Sequence, residues 1–111
     1  MTRKVVRSEA AVEDMLAIAD DLVSSLGMDA ALAADARLEA AIESLDDLAH
    51  RGRVVPELRA RGITIYRELI VLPYRILYRV ETREVLIVAV LDHRRDLDTL
   101  LQERTRRDRG T

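Results

Sequence analysis

Apolar residues recur at three- and four-residue spacing through the first half of this chain and at two-residue spacing through much of the second. Those two periods separate helices from half-buried strands. Arg3 to Arg7 (RKVVR) predicts a short strand, and Ser8 is placed to cap the helix that follows, its hydroxyl accepting from a free amide of the first turn. Val12, Met15, Leu16, Ala19, Leu22, Val23 and Leu26 then form one apolar helical face. Gly27 is a natural stop, and Asp29 can cap a second helix running to about His50, with Leu38, Ala41, Ile42, Leu45 and Leu48 as its stripe. The two helices form an antiparallel hairpin.

In the segment Arg51 to Arg61, Gly52 and Pro56 interrupt helix periodicity, which predicts a hinge. Strand patterns follow. Ile63, Ile65, Arg67 and Leu69 share one face, with Thr64, Tyr66 and Glu68 on the other. From Pro73, Tyr74, Ile76, Tyr78 and Val80 oppose Arg75, Leu77 and Arg79. After a turn at Glu81 to Glu84, Val85 to Leu91 is apolar on both faces, as a central strand should be. Asp92 to Arg104 predicts a short C-terminal helix, and 105–111 a frayed tail. The order β-α-α-β-β-β-α is an α+β fold: an N-terminal strand and a helical hairpin packed on a small, mostly antiparallel sheet, with a short C-terminal helix. At 111 residues the expectation is a single domain over 1–111.

Composition narrows the chemistry. Three tyrosines are the whole aromatic content, so aliphatic packing must build the core. With no Cys, and with His50 and His93 lacking ligand-like neighbours, neither a disulfide nor a metal site is expected, and no motif implies a cofactor or small-molecule substrate. No Gly-rich phosphate loop and no G-x-S-x-G occurs. The longest apolar run, Val85 to Leu91, is far too short to span a membrane, and no signal peptide is visible, so the expected location is the cytoplasm.

Charge is polarised. Residues 1–50 carry four basic and eleven acidic side chains, net −7, and residues 51–111 fourteen and nine, net +5; these sum to the overall −2. Asp35, Glu39 and Glu43 lie at i, i+4 and i+8, either a solvated helix face or a surface for a basic partner. In the basic half, Arg67, Arg75, Arg79, His93, Arg94 and Arg95 lie on or just after the strands. Glu57, Arg75 and His93 together suit phosphodiester transfer: a carboxylate to take a proton, a guanidinium to hold phosphorane charge, an imidazole to protonate the leaving oxygen. Equally, Glu57 can pair with a nearby arginine, Arg75 can lie on an exposed face, and His93 can be a turn residue. Tyr66, Tyr74 and Tyr78 either stack bases or pack at the core edge with wet hydroxyls.

A strand and a helical hairpin, then V-P-E-L (Val55 to Leu58), Y-R-E-L (Tyr66 to Leu69), P-Y-R-I-L-Y (Pro73 to Tyr78) and V-L-D-H-R-R-D (Val90 to Asp96), resemble the RelE/ParE superfamily. These are the small toxins of bacterial type II toxin–antitoxin modules, once described as plasmid-stabilisation proteins. The RelE-like branch implies a ribosome-dependent endoribonuclease that cuts mRNA, with Glu57, Arg75 and His93 as its catalytic residues. The ParE-like branch implies a toxin that lacks that chemistry and inhibits DNA gyrase by binding it. Arg94 stands where one RelE-like group has a tyrosine, the chain has a single lysine, and it is acidic overall. The R-R-D-L-D-T-L-L stretch (Arg94 to Leu101) is similar to ParE-like sequences, so the expectation is a ParE-like binding toxin rather than an enzyme. The resemblance further implies target contacts at Arg67, Arg79, Arg94 and Arg95. It implies a cognate antitoxin whose tail covers Val12, Leu16, Leu22 and Val23 and adds a strand beside Ile63 to Leu69.

Overall fold

The computed structural model describes residues 2–94 and 97–99. The elements are β1 (Lys4–Arg7), α1 (Glu9–Leu26), α2 (Met28–Glu43), a 3-10 turn (Ser44–Asp46), β2 (Arg53–Val54), α3 (Pro56–Arg59), β3 (Tyr66–Val71), β4 (Tyr74–Val80) and β5 (Glu84–Asp92), followed by helical residues 97–99. The sheet runs β1-β5-β4-β3-β2, antiparallel except for the β1–β5 pair. The α+β reading holds.

Local chemistry explains the boundaries. Ser8 caps α1 by accepting from the Ala11 amide at 3.0 Å, while its own N–H donates to Ile87 O at 2.9 Å, so one residue starts the helix and anchors it to β5. Gly27 alone joins the helices: at φ 96° its N–H returns to the Leu22 and Val23 carbonyls, a left-handed geometry that a Cβ would strain. The second helix stops at Glu43, short of the predicted His50. There the Ser44 hydroxyl bonds back to the Ala41 carbonyl (2.6 Å), and the 3-10 turn carries Leu45 into the core. Pro56 begins a helix rather than breaking one, because at the first position of α3 its missing N–H costs nothing. The expected hinge is therefore β2 plus α3. The last sheet residue is Asp92, so a helix does not start there, and of the predicted Asp92–Arg104 helix the described part is 97–99. Residues 105–111 lie outside the described residues.

Both sheet faces are covered. On the first, α1 and α2 pack against β5 and β3, and Ala11, Met15, Leu38, Ile42 and Leu45 meet Leu69, Tyr74, Ile76, Tyr78, Val85, Ile87 and Val90. Each large aliphatic side chain buried there contributes about 1.5–3 kcal/mol. On the second, Val55, Leu58 and Leu97 cover Leu77, Ala89 and Leu91. A bulge falls where the register passes from Leu77↔Ala89 to Tyr78↔Ile87. It reverses the parity of β5, so Val85 and Ile87 face the helices with Val90, not with Ala89.

Candidate functional site

The second face carries the charge. Glu68 on β3 sits opposite Leu77, and Arg75 on β4 opposite Ile70, which makes Glu68 and Arg75 diagonal neighbours on one face. Arg75 Nε donates to Glu68 Oε1 at 2.6 Å, and its two terminal nitrogens donate to the Glu57 oxygens at 2.7 and 2.9 Å. Arg53 on β2 donates from Nε to the other Glu68 oxygen at 2.7 Å. The result is an alternating chain, Arg53–Glu68–Arg75–Glu57, running from β2 through β3 and β4 to α3. The Glu68 side chain is fully buried and Arg75 is 8% exposed. A buried charge costs several kcal/mol unless paired, and here the pairing is complete at Arg75.

This pairing sets the protonation chemistry. The Arg75 hydrogen bonds hold the Glu57 carboxyl below the usual carboxylate range, against the opposing effect of burial. The Glu57 bonds in turn raise the Arg75 pKa above that of an ordinary arginine, with burial opposing and Glu68 adding to the rise. Arg75 is therefore a permanent cation with every nitrogen committed to a carboxylate, and Glu57 is a weak base with both oxygens occupied.

His93 lies apart from this chain, at the end of β5. Its ring Nδ1 is 2.9 Å from the Pro73 carbonyl, an acceptor, so Nδ1 carries the proton; its backbone N–H donates to the same oxygen at 2.8 Å. Among the described residues no hydrogen bond joins it to Arg75 or Glu57. The structure thus brings together Glu57 and Arg75, and places His93 in a strand-end turn.

The other candidate arginines are also engaged. Arg67 donates to the Gly52 carbonyl at 2.7 Å. Arg79 pairs with Glu81 at 2.6 Å. Arg94 is exposed and folds back on Asp92, whose carboxyl it pushes down to about 2 through side-chain and backbone hydrogen bonds. Arg95 lies outside the described residues. No group of three His, Cys, Asp or Glu is placed to hold a metal among the described residues, and no helix there is long and apolar enough to cross a membrane.

The tyrosines are mostly structural. Tyr78 is fully buried, its hydroxyl accepting from the Gly52 amide at 2.9 Å, and Tyr74 is buried beside it in the helix-side core. A Cβ at Gly52 would lie 2.5 Å from the Glu68 carbonyl oxygen and 2.6 Å from the Tyr78 hydroxyl, which is why glycine stands there. Tyr66 is half-buried on the second face. Glu39 is likewise removed from the supposed solvated stripe, since Arg7 donates to both its oxygens, one at 2.7 Å.

On the helical side, the single apolar face expected for α1 splits. Ala11 and Met15 point to the sheet, while Val12, Leu16 (62% exposed), Val23 and Leu26 (70%) point away; Leu22 is half-buried between them. Met28 and Leu32 of α2 extend the exposed set past the hairpin tip. The expected free edge also moves: β3 begins at Tyr66, and β2 covers it at Arg67 and Glu68. Leu69 to Val71 have no β2 partner on that side, and the Tyr66 carbonyl accepts from the Val55 amide just after β2.

Residues 5–97 match the family model described as "ParE toxin of type II toxin-antitoxin system, parDE". The chain belongs to that family. Its ParE-type fold is shared with a solved structure, "Chromosomal ParDE TA system from P. aeruginosa", at TM-score 0.69 and 22% identity, covering 82% of this chain and 96% of that one. No curated protein matches the chain. Of the site residues, sequence reasoning missed Glu68 and Arg53. The signal for Glu68 was a carboxylate in a strand of apolar neighbours, but its partners depended on a register not written in any one strand.

Proposed function

We propose that this ParE-family toxin acts in the cytoplasm by binding DNA gyrase, and that a cognate antitoxin neutralises it. One observation carries the choice of a binding toxin over an RNase: each nitrogen of the Arg75 guanidinium already donates to Glu57 or Glu68, so its charge is neutralised within the fold rather than held open for a phosphodiester. The target contacts fall on the strand ends and the C-terminal segment, where Arg94 is exposed. A purified toxin that leaves gyrase supercoiling unchanged at micromolar concentration overturns this reading. Expression without antitoxin should induce the DNA-damage response ahead of translation arrest.

The antitoxin reading rests on the outward apolar residues Val12, Leu16 and Val23, an exposed apolar stripe on the solvent side of the hairpin. Glu13 and Asp20 of the same helix are exposed one step round from the stripe, which favours an amphipathic partner helix with basic residues on that edge. The alternative, mRNA cleavage on the ribosome, draws support from the contact between Glu57 and Arg75, since that chemistry needs both in one site. It requires loss of toxicity in both Arg75→Ala and His93→Ala; full toxicity of the His93 variant removes it.

A further inference from the structure

Segment 53–59 is tied to the sheet at both ends by charge. Arg53 reaches Glu68, Glu57 reaches Arg75, and the two inner residues bond each other. Val55, between those ties, and Leu58, just after the second, share an apolar cluster with Leu77, Leu91 and Leu97. Just beyond α3, Arg61 pairs with Asp98 at 3.1 Å. The Leu97 cluster and the Arg61–Asp98 pair therefore link residues 97–99 to α3 and the turn after it, and Glu57 links α3 to β4.

We infer that the Glu57–Arg75 pair is a positioning device: it sets where α3 stands on the sheet, and through α3 it sets the place of residues 97–99, which follow the proposed target contacts at Arg94 and Arg95. This rests on the binding-toxin reading. An apolar contact alone specifies this placement poorly, because Leu58 and Leu97 can slide over aliphatic neighbours at little cost. A bidentate guanidinium–carboxylate pair admits one geometry. The helical hairpin lies on the opposite sheet face and shares none of these contacts, so target binding and antitoxin binding are separable by mutation.

The test uses the full chain with Glu57→Ala, chosen because Glu57 is partly exposed while Arg75 and Glu68 keep each other and Arg53. Hydrogen exchange should rise about tenfold at the amides of residues 57–60 and 97–99 and stay unchanged in α1 and α2. Growth inhibition should fall about tenfold while antitoxin affinity stays within about twofold. Glu57→Gln, which keeps one acceptor oxygen for Arg75, should recover part of both losses. Unchanged exchange at 97–99 overturns the inference, even if toxicity falls, because a purely catalytic Glu57 would behave that way. Undiminished toxicity with a loosened α3 overturns it as well. A wild-type toxin that arrests growth without touching gyrase defeats the gyrase reading alone, and the exchange and growth readouts still decide the positioning role.

Discussion

The two faces of the sheet solve the same burial problem with different chemistry. The helix side is broad and aliphatic, and its buried side chains need only volume and contact. Among the described residues the opposite side is covered by a four-residue helix and residues 97–99, and there a chain of four charges adds directional contacts to the apolar ones. Hydrophobic burial stabilises the fold without specifying fine geometry; paired charges contribute little net stability but admit one arrangement. The device is also fragile, since each partner depends on the next.

That contrast is broken most severely by Arg75→Ala, which leaves the buried Glu68 carboxylate with Arg53 alone and should cost about 3–5 kcal/mol in urea unfolding. Glu68→Leu with Arg75→Met removes both buried charges at once and should recover most of that loss, although α3 would then be loosely held. If the double variant is as unstable as the single one, unpaired charge is not the cause. Next, Gly52→Ala forces a methyl against the Glu68 carbonyl and the Tyr78 hydroxyl and should cost about 1–3 kcal/mol. Tyr78→Phe, which relieves the crowding, should offset part of it.

Acid should act on paired carboxylates of both faces, Glu57 on one and the Arg7-bound Glu39 on the other. Glu57 and Asp92 have depressed native pKa values, that of Asp92 about 2. Their contributions are complete above the ordinary carboxylate pKa near 4 and are lost as pH falls through the depressed native values, for Asp92 at about 2, while Arg75 remains charged. Thermal unfolding followed from pH 7 to pH 2 should show this decline, shallower in Glu57→Gln. The smallest effect on stability belongs to the outward helix face. Leu16→Glu should change unfolding by no more than about 0.5 kcal/mol. The same variant should weaken antitoxin binding at least tenfold in calorimetry, by about 1.4 kcal/mol or more. A stability loss comparable to that of Gly52→Ala would show that the stripe is core, not interface.

Much of this was legible in the chain. Ser8 and Gly27 bound their helix as written, because capping and a positive φ are local demands that one residue type answers. The alternation of Tyr74, Ile76, Tyr78 and Val80 marked the helix-facing side of β4 for the same reason. Pro56 misled, because a proline that ends one helix and one that begins another look alike without the backbone around them. The apolar face of α1 was visible as one stripe, but periodicity does not say how wide a contact the sheet makes. Only packing divided Met15 from Leu16.

What the sequence determined alone was therefore the strand and two helices of the first half, the Ser8 and Gly27 boundaries, strands β3 to β5 and the ParE family, but not β2 or α3. Each feature it determined rests on neighbours a few residues apart or on motifs in a fixed order. Tertiary structure decided the partners. The β3–β4 register set Glu68 beside Arg75, the bulge in β5 chose which of its residues face the helices, and the docking of α3 brought Glu57 onto Arg75. A charge's role depends on its burial and on what lies within about 3 Å, and for Glu57 and Arg75, 18 residues apart, chain order fixes neither.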